Sequence, residues 1–230
     1  MLLVSCWKRN DLPQKIDFIP EIEREPLQSI IQIDPFDAPF NGVSYRVKPR
    51  YEYELWGLVV SYRHHDGDAM LHKSWNDHLN MADICVVWRE TARSPLLNRL
   101  NFWNGQFTCN VATKDKAAWE RFRMDQLSNN HLISDDPVIR DQIGSVNIGD
   151  QIRVRGWLAA YQSEGSALRD TSTVRTDTGN GACETIYVRE FEILRASEGA
   201  WHKTMYASLL VYLGAFFFYF WRPGKTLRRR

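Results

Sequence analysis

No Cys-x-x-Cys pair, GxSxG elbow, phosphate-binding loop, HExxH helix or GxGxxG turn occurs in the 230 residues. Their absence argues against a zinc knuckle, a thioredoxin-like dithiol and the common hydrolase and nucleotide signatures. Charge of one sign is equally scarce. Against 29 basic residues stand 28 acidic ones, a formal net charge of +1, too little for a general pull toward nucleic acid. No internal repeat or low-complexity tract is present. The balance still conceals an asymmetry, because Arg222, Lys225, Arg228, Arg229 and Arg230 crowd the last nine residues without an acid among them.

One long apolar run stands out, MYASLLVYLGAFFFYFW from Met205 to Trp221. As a helix its seventeen residues span about 25 Å, the short end for crossing a hydrocarbon core. Trp201 and Tyr206 lie at one end, Tyr219 and Trp221 at the other, as paired aromatic belts require. Phe216 to Phe218 make the run apolar all round, whereas a helix of a soluble domain keeps a polar stripe. Five cations follow Trp221, against Lys203 and His202 before Met205. The positive-inside rule therefore puts the C-terminus in the cytoplasm and the domain outside, in the periplasm of a Gram-negative cell. Export requires a signal, and MLLVSC at residues 1–6 is too short for one, so the natural start is expected upstream. The competing topology, a tail-anchored cytoplasmic domain, would send five positive charges across the membrane.

The rest divides by composition. Residues 1–40 carry four prolines between Trp7 and Ala38 and read as an extended linker. Residues 41–198 form a globular β-rich domain, 201–222 the transmembrane helix and 223–230 a basic cytoplasmic tail. From Ser44, apolar Tyr45, Val47, Tyr51, Tyr53 and Leu55 alternate with polar residues, the pattern of a half-exposed strand. Pro49 predicts an edge strand or two shorter ones. Ile84 to Trp88, Gln106 to Val111, Gln151 to Tyr161 and Glu184 to Leu194 read as further strands. The last switches its apolar parity between Val188 and Phe191, which predicts a β-bulge. A helix is expected from Thr113 to about Leu127, ended by Asn129-Asn130-His131, and a short one after Pro137. The fold class is thus mainly β with one or two helices (α+β): a small OB-like barrel or sandwich plus one C-terminal transmembrane helix.

The run SNNHLISDDPVIRDQIGSVNIGDQIRVRGWLAAYQ, followed by RTDTGNGACETIYV, resembles a pattern of bacterial envelope proteins. The similarity covers Tyr53 to Leu194 and implies a bacterial source and no particular chemistry.

Of the four cysteines, Cys6 sits at the N-terminus and Cys85 reads as a small buried hydrophobe. Cys109 and Cys183 flank strands and are the expected disulfide in an oxidising compartment. The polar stretch from Ser163 to Ala182 joins two strands and is long enough to suggest function. Arg169, Ser172, Arg175, Asp177, Asn180 and Glu184 there form the candidate ligand site, two guanidinium forks and a Gly-Asn-Gly turn facing an anion. The bland alternative is internal pairing of those arginines with Asp170, Asp177 or Glu184. His64, His65, Asp66 and His72 make a weak metal set, since no pair has the i, i+4 spacing of a helical site. A solvated loop is the plainer reading, and His131 reads as a helix-end hydrogen-bonder.

Nothing calls for a cofactor. The expected function is a membrane-anchored, non-catalytic binding or scaffolding domain with a membrane or envelope protein as partner. The alternative is a hydrolase or transferase acting on a phosphate or glycan through the Arg169–Glu184 loop. A third reading places oligosaccharide or single-stranded nucleic acid on Trp157 and Tyr161 beside Arg153 and Arg155, and a periplasmic domain argues against the nucleic acid.

Overall fold

The computed structural model describes residues 1–8, 11–65, 73–177, 182–197 and 200–221. Among them the strands are β1 (Leu27–Ile30), β2 (Phe36–Phe40), β3 (Val43–His64), β4 (Asn80–Val87), β5 (Asn101–Asn104), β6 (Cys109–Ala112), β7 (Leu127–Ile133), β8 (Gln151–Ser163) and β9 (Glu184–Arg195). The helices are α1 (Leu2–Lys8), α2 (Arg89–Ala92), α3 (Lys116–Arg121), α4 (Pro137–Gly144) and α5 (Ala200–Trp221). The chain is mainly β, built on one large mixed sheet.

The alternation that starts at Ser44 runs on as β3, one strand of 22 residues. Its first half pairs with β8 and its second half with β4, both antiparallel. Pro49 does not end it, contrary to the edge-strand expectation. A register shift between Pro49 and Tyr51 absorbs the kink. On its other side Pro49 falls between the β2 pairing, which stops at Val47, and the β1 pairing, which starts at Tyr51. No ladder bond is lost where no neighbour stands. β4 then pairs with β7, β7 with β9 in parallel, and β9 with β8. The expected bulge in β9 is present, since Val188 faces Gly156 while Glu190 faces Arg155, leaving Arg189 over. Gly156 allows the tight crossing there: a Cβ on it would stand 2.1 Å from the Tyr187 carbonyl oxygen.

Tyr53, Leu55, Ile84, Val86, Leu132, Val154, Ile186 and Phe191 share one core, and Ile139 and Ile143 of α4 pack onto it. Asp136 caps α4 by accepting from Val138 and Ile139 N–H, with Pro137 in the first turn as expected. The outward face of β3, β8 and β9 carries a charge ladder. Arg153 meets Glu54 at 2.6 Å and Glu192 at 3.1 Å, and Arg155 meets Glu52 at 2.7 Å and Glu190 at 3.2 Å. These arginines are therefore engaged by neighbours rather than presented to an oligosaccharide.

Three expectations change. The helix after Thr113 is only Lys116–Arg121, capped by Asp115, and Asn129-Asn130-His131 lie inside β7. Pairing with β4 on one side and β9 on the other decides this, because it supplies ladder bonds to a segment whose helical signal was weak. Residues 1–40 are not simply a linker. β1 and β2 lie on β3, Ile19 and Ile22 are buried, and Gln151 clamps the Asp17 carbonyl and the Ile19 N–H at 2.8 and 2.9 Å. Finally, Cys109 bonds to Cys85 and not to Cys183, with Cα atoms 5.7 Å apart. Cys85 faces the β5–β6 hairpin across an apolar layer that also holds Val60, Val87 and Val111.

α5 carries an 18-residue apolar window, Thr204–Trp221, none of it buried. It is long and apolar enough to cross a membrane. α1 lies along it, with the Lys8 ammonium 5.5 Å from the Trp201 ring centre.

Candidate functional site

An acid in the middle of an apolar strand needs partners, because burying a lone carboxylate is costly. In β4 that acid is Asp83, fully buried between Ala82 and Ile84. Its cross-strand neighbour in β7 is His131, and His131 Nδ1 lies 2.5 Å from Asp83 Oδ1. His65, just beyond β3, brings Nε2 to 3.0 Å from the same oxygen. Burial by itself would raise the Asp83 carboxyl, but hydrogen bonds from His131 and His65 outweigh it and hold it well below the usual range. Burial likewise opposes charge on His131, yet its bonds with Asp83 and Cys183 raise it to about 10. The buried carboxylate thus favours the charged form of the imidazole.

Cys183 is the third member. It precedes β9 by one residue, and since Asn130 pairs with Glu184 and His131 with Thr185, it stands beside the Asn129–His131 stretch. The residue is partly exposed and forms no disulfide. Its Sγ donates to the Phe107 carbonyl at 3.5 Å; His131, with Nδ1 held by Asp83, stands beside it, and Cys183 is among the groups that favour charge on the imidazole. Asn129 Nδ2 reaches Cys183 Sγ at 3.3 Å and donates to the Phe107 carbonyl at 3.1 Å. The sequence Ser-Asn-Asn-His-Leu-Ile thus alternates. Asn129 and His131 face the thiol, while Ser128 and Asn130 face the opposite side.

The Ser163–Ala182 stretch holds this cysteine in place. Ser172 N–H donates to the Cys183 carbonyl at 2.9 Å, and Thr171 Oγ1 accepts from Thr185 N–H at 3.0 Å. Over the thiol lies the tip of the β5–β6 hairpin. Phe107, with φ +60°, sets its ring 5.8 Å from His131 and 6.1 Å from His65. That left-handed backbone is unfavourable for an aromatic residue. The hairpin is fixed to β4 by the Cys85–Cys109 bond and to β3 by Ser61 Oγ donating to Asn104 Oδ1 at 2.6 Å.

Thiol and imidazole open into a cavity of about 920 Å³, bounded by Trp75, Asp77, Asn80, Phe107, Tyr161 and the turn from Ser163 to Thr171. This volume suits a small-molecule site. Comparison with protein-family models, curated proteins and solved structures gives no match.

The residues singled out from the sequence are dispersed. Arg169 reaches the cavity but is paired to Asp77 at 3.1 Å and stacked on Trp75 and Phe107. Arg175 instead lies over Trp88, 4.9 Å from its ring centre, and meets Glu25 at 3.2 Å. Ser172 donates to Asp177 at 2.6 Å. Glu184 turns to the sheet face opposite Cys183, where Ser128 Oγ lies 2.6 Å away, and burial raises its carboxyl to about 7. Ser128 Oγ is also 3.1 Å from Asn130 Oδ1. The Ser128 hydroxyl donates to Glu184, which works against that rise. Asn180, Asp66 and His72 lie outside the described residues. His64 packs on Tyr62, ring centres 4.8 Å apart, while His65 joins Asp83. Among the described residues no group of three or more His, Cys, Asp or Glu is arranged to hold a metal ion.

Proposed function

We propose that this chain is a membrane-anchored enzyme that uses Cys183 as a nucleophile on an acyl group, as a hydrolase or acyltransferase. The observation that carries the reading is the buried Asp83–His131 pair lying beside Cys183 at one open cavity. A thiol beside an imidazole, itself oriented by a buried carboxylate, is the recurring arrangement for acyl transfer on unrelated folds. An imidazolium is the partner that sustains a thiolate.

Cys183 sulfur attacks the carbonyl carbon, a C–S bond forms, and the carbonyl electron pair moves to oxygen. Asn129 Nδ2, which reaches the sulfur at 3.3 Å, is a positioning group for the nucleophile. Collapse breaks the bond to the leaving nitrogen or oxygen, which takes its proton from His131. His131 then removes a proton from water or an acceptor, which attacks the thioester and returns the thiol. Asp83 is a positioning residue. It holds the imidazole tautomer and offsets its charge.

Architecture supports the same cavity. Pairing returns to β3, β7 and β9 are parallel, and α4 lies between β7 and β8, which favours an OB-like barrel. In that architecture the face of the second and third strands, with the loops beside it, is where ligands bind. Those strands here are β4 and β7.

The anionic-substrate version loses support because Arg169 and Arg175 are both engaged. A binding or scaffolding role is the second reading, favoured by a cavity larger than one acyl group needs. Turnover of an activated ester that disappears in Cys183→Ala supports catalysis. Equal rates in both proteins contradict it.

The anchor and sidedness belong to the same proposal. α5 spans the bilayer, residues 222–230 face the cytoplasm, and the domain faces outward, in the periplasm of a bacterial envelope. Protease added to osmotically opened cells with intact inner membranes is expected to degrade the domain. A domain protected until detergent is added would reverse the orientation.

A further inference from the structure

We infer that the substrate is an extended peptide-like amide of neutral or positive charge, an inference that rests on the thiol reading above. It starts from Asn80. This side chain is 2% exposed, lines the cavity shared with Cys183 and His131, and its Oδ1 accepts no hydrogen bond. A buried carboxamide oxygen left without a donor is rare and costly, and a ligand N–H supplies what it lacks.

Its position fits a peptide repeat. Asn80 and Asp83 are three residues apart, which in a regular strand would put them on opposite faces. The register shift at Met81 cancels that, pairing Asn80 with Ile133 and Asp83 with His131. Asn80 therefore faces the same side as the imidazole, two ladder steps away. Two steps are about 7 Å, the spacing of successive same-side N–H groups along an extended chain.

Charge narrows the ligand. Arg169 is bonded to Asp77, and Asp170 to Arg50 at 2.7 Å. Among the described residues lining the cavity, no guanidinium is left over for a carboxylate or phosphate. Glu164 at the mouth adds an acid. Trp75, Phe107 and Leu168 supply apolar wall for a side chain. Apart from His131, whose charge Asp83 offsets, a polyanion finds no counter-charge among the described residues lining the cavity.

The test uses the full chain in detergent micelles, with fluorogenic N-acetyl-tripeptide amides ending in Lys, Ala or Glu, an O-acetylated oligosaccharide, and p-nitrophenyl acetate. The Lys and Ala amides are expected to be cleaved with kcat/KM about tenfold or more above the Glu amide. Asn80→Leu is expected to raise KM for the amides about tenfold more than KM for p-nitrophenyl acetate, which has no N–H to offer. Asn80→Asp, which keeps an acceptor, is expected to retain wild-type KM for the Lys amide, which separates a ligand contact from a folding defect. Cys183-dependent hydrolysis of p-nitrophenyl acetate without cleavage of any amide, or with preference for the oligosaccharide or the Glu amide, overturns the peptide assignment and leaves the thiol site standing. Absence of all Cys183-dependent turnover overturns the thiol site itself.

Discussion

Replacing His131 by glutamine is expected to lower turnover of an activated ester by about 10³-fold, and replacing Cys183 by alanine to bring it to the uncatalysed background. Glutamine can still hydrogen-bond to Asp83, so the variant keeps the buried carboxylate partnered, but it cannot shuttle a proton. His131 serves twice, first giving a proton to the leaving group and then taking one from water, so both half-reactions slow. The two substitutions act on one unit, and the double variant is expected to be no slower than Cys183→Ala alone. Steady-state kinetics on the four proteins, with thermal melts to confirm folding, measure this. Additive losses, or a His131→Gln enzyme within a few-fold of wild type, would place the acyl chemistry elsewhere.

Asp83→Ala is expected to destabilise the domain by about 3–5 kcal/mol near pH 6, the cost of removing one member of a buried charged pair. Asp83 is fully buried and His131 nearly so, with 13% of its side chain exposed. The loss should depend on pH in a defined way. The His131 value is raised from 6.5 to about 10, so its contribution is complete below pH 6.5 and disappears as pH climbs toward 10. The Asp83 value is depressed from 3.8, so its contribution is complete above that pH and disappears on acidification through the lower folded value. The pair therefore stabilises most at mildly acid pH. Wild type and variant should converge as pH rises toward 10. Glu184 adds to the same trend, since a carboxyl raised from 4.5 to about 7 stabilises the fold below its unfolded value and costs stability above 7. Urea unfolding of both proteins across that range checks the sign. A difference that is constant or grows with pH contradicts a charged Asp83–His131 pair.

Most strands were legible because their alternation is local. Ser44 to Leu55, Gln151 to Tyr161 and Glu184 to Leu194 announce themselves by period two, and the parity change near Arg189 even locates a bulge. The site was not legible, for three reasons. β7 is short and polar on the face that carries Asn129 and His131, so it reads as the end of a helix. Asp83 interrupts an otherwise apolar strand, and the unspent signal was that such a carboxylate must find a cation. Cys109 and Cys183 both flank strands, and only the position of the hairpin over β4 decides that Cys85 takes Cys109 and leaves Cys183 free. The Ser163–Ala182 stretch takes a different part from the anion-binding one expected of it. Its backbone secures the cysteine, while its arginines are consumed in pairing and stacking.

The nucleophile itself is open to direct observation. Full-length protein in detergent is mixed with p-nitrophenyl acetate, quenched in acid within the first turnover, and measured by intact-mass and peptide-mapping spectrometry. One acetyl group on the peptide containing Cys183, absent from Cys183→Ala and accumulating in His131→Gln, is the expected result. Acetyl found on Cys6 or on lysines with Cys183 unmodified would contradict the Asp83–His131–Cys183 chain as a catalytic site.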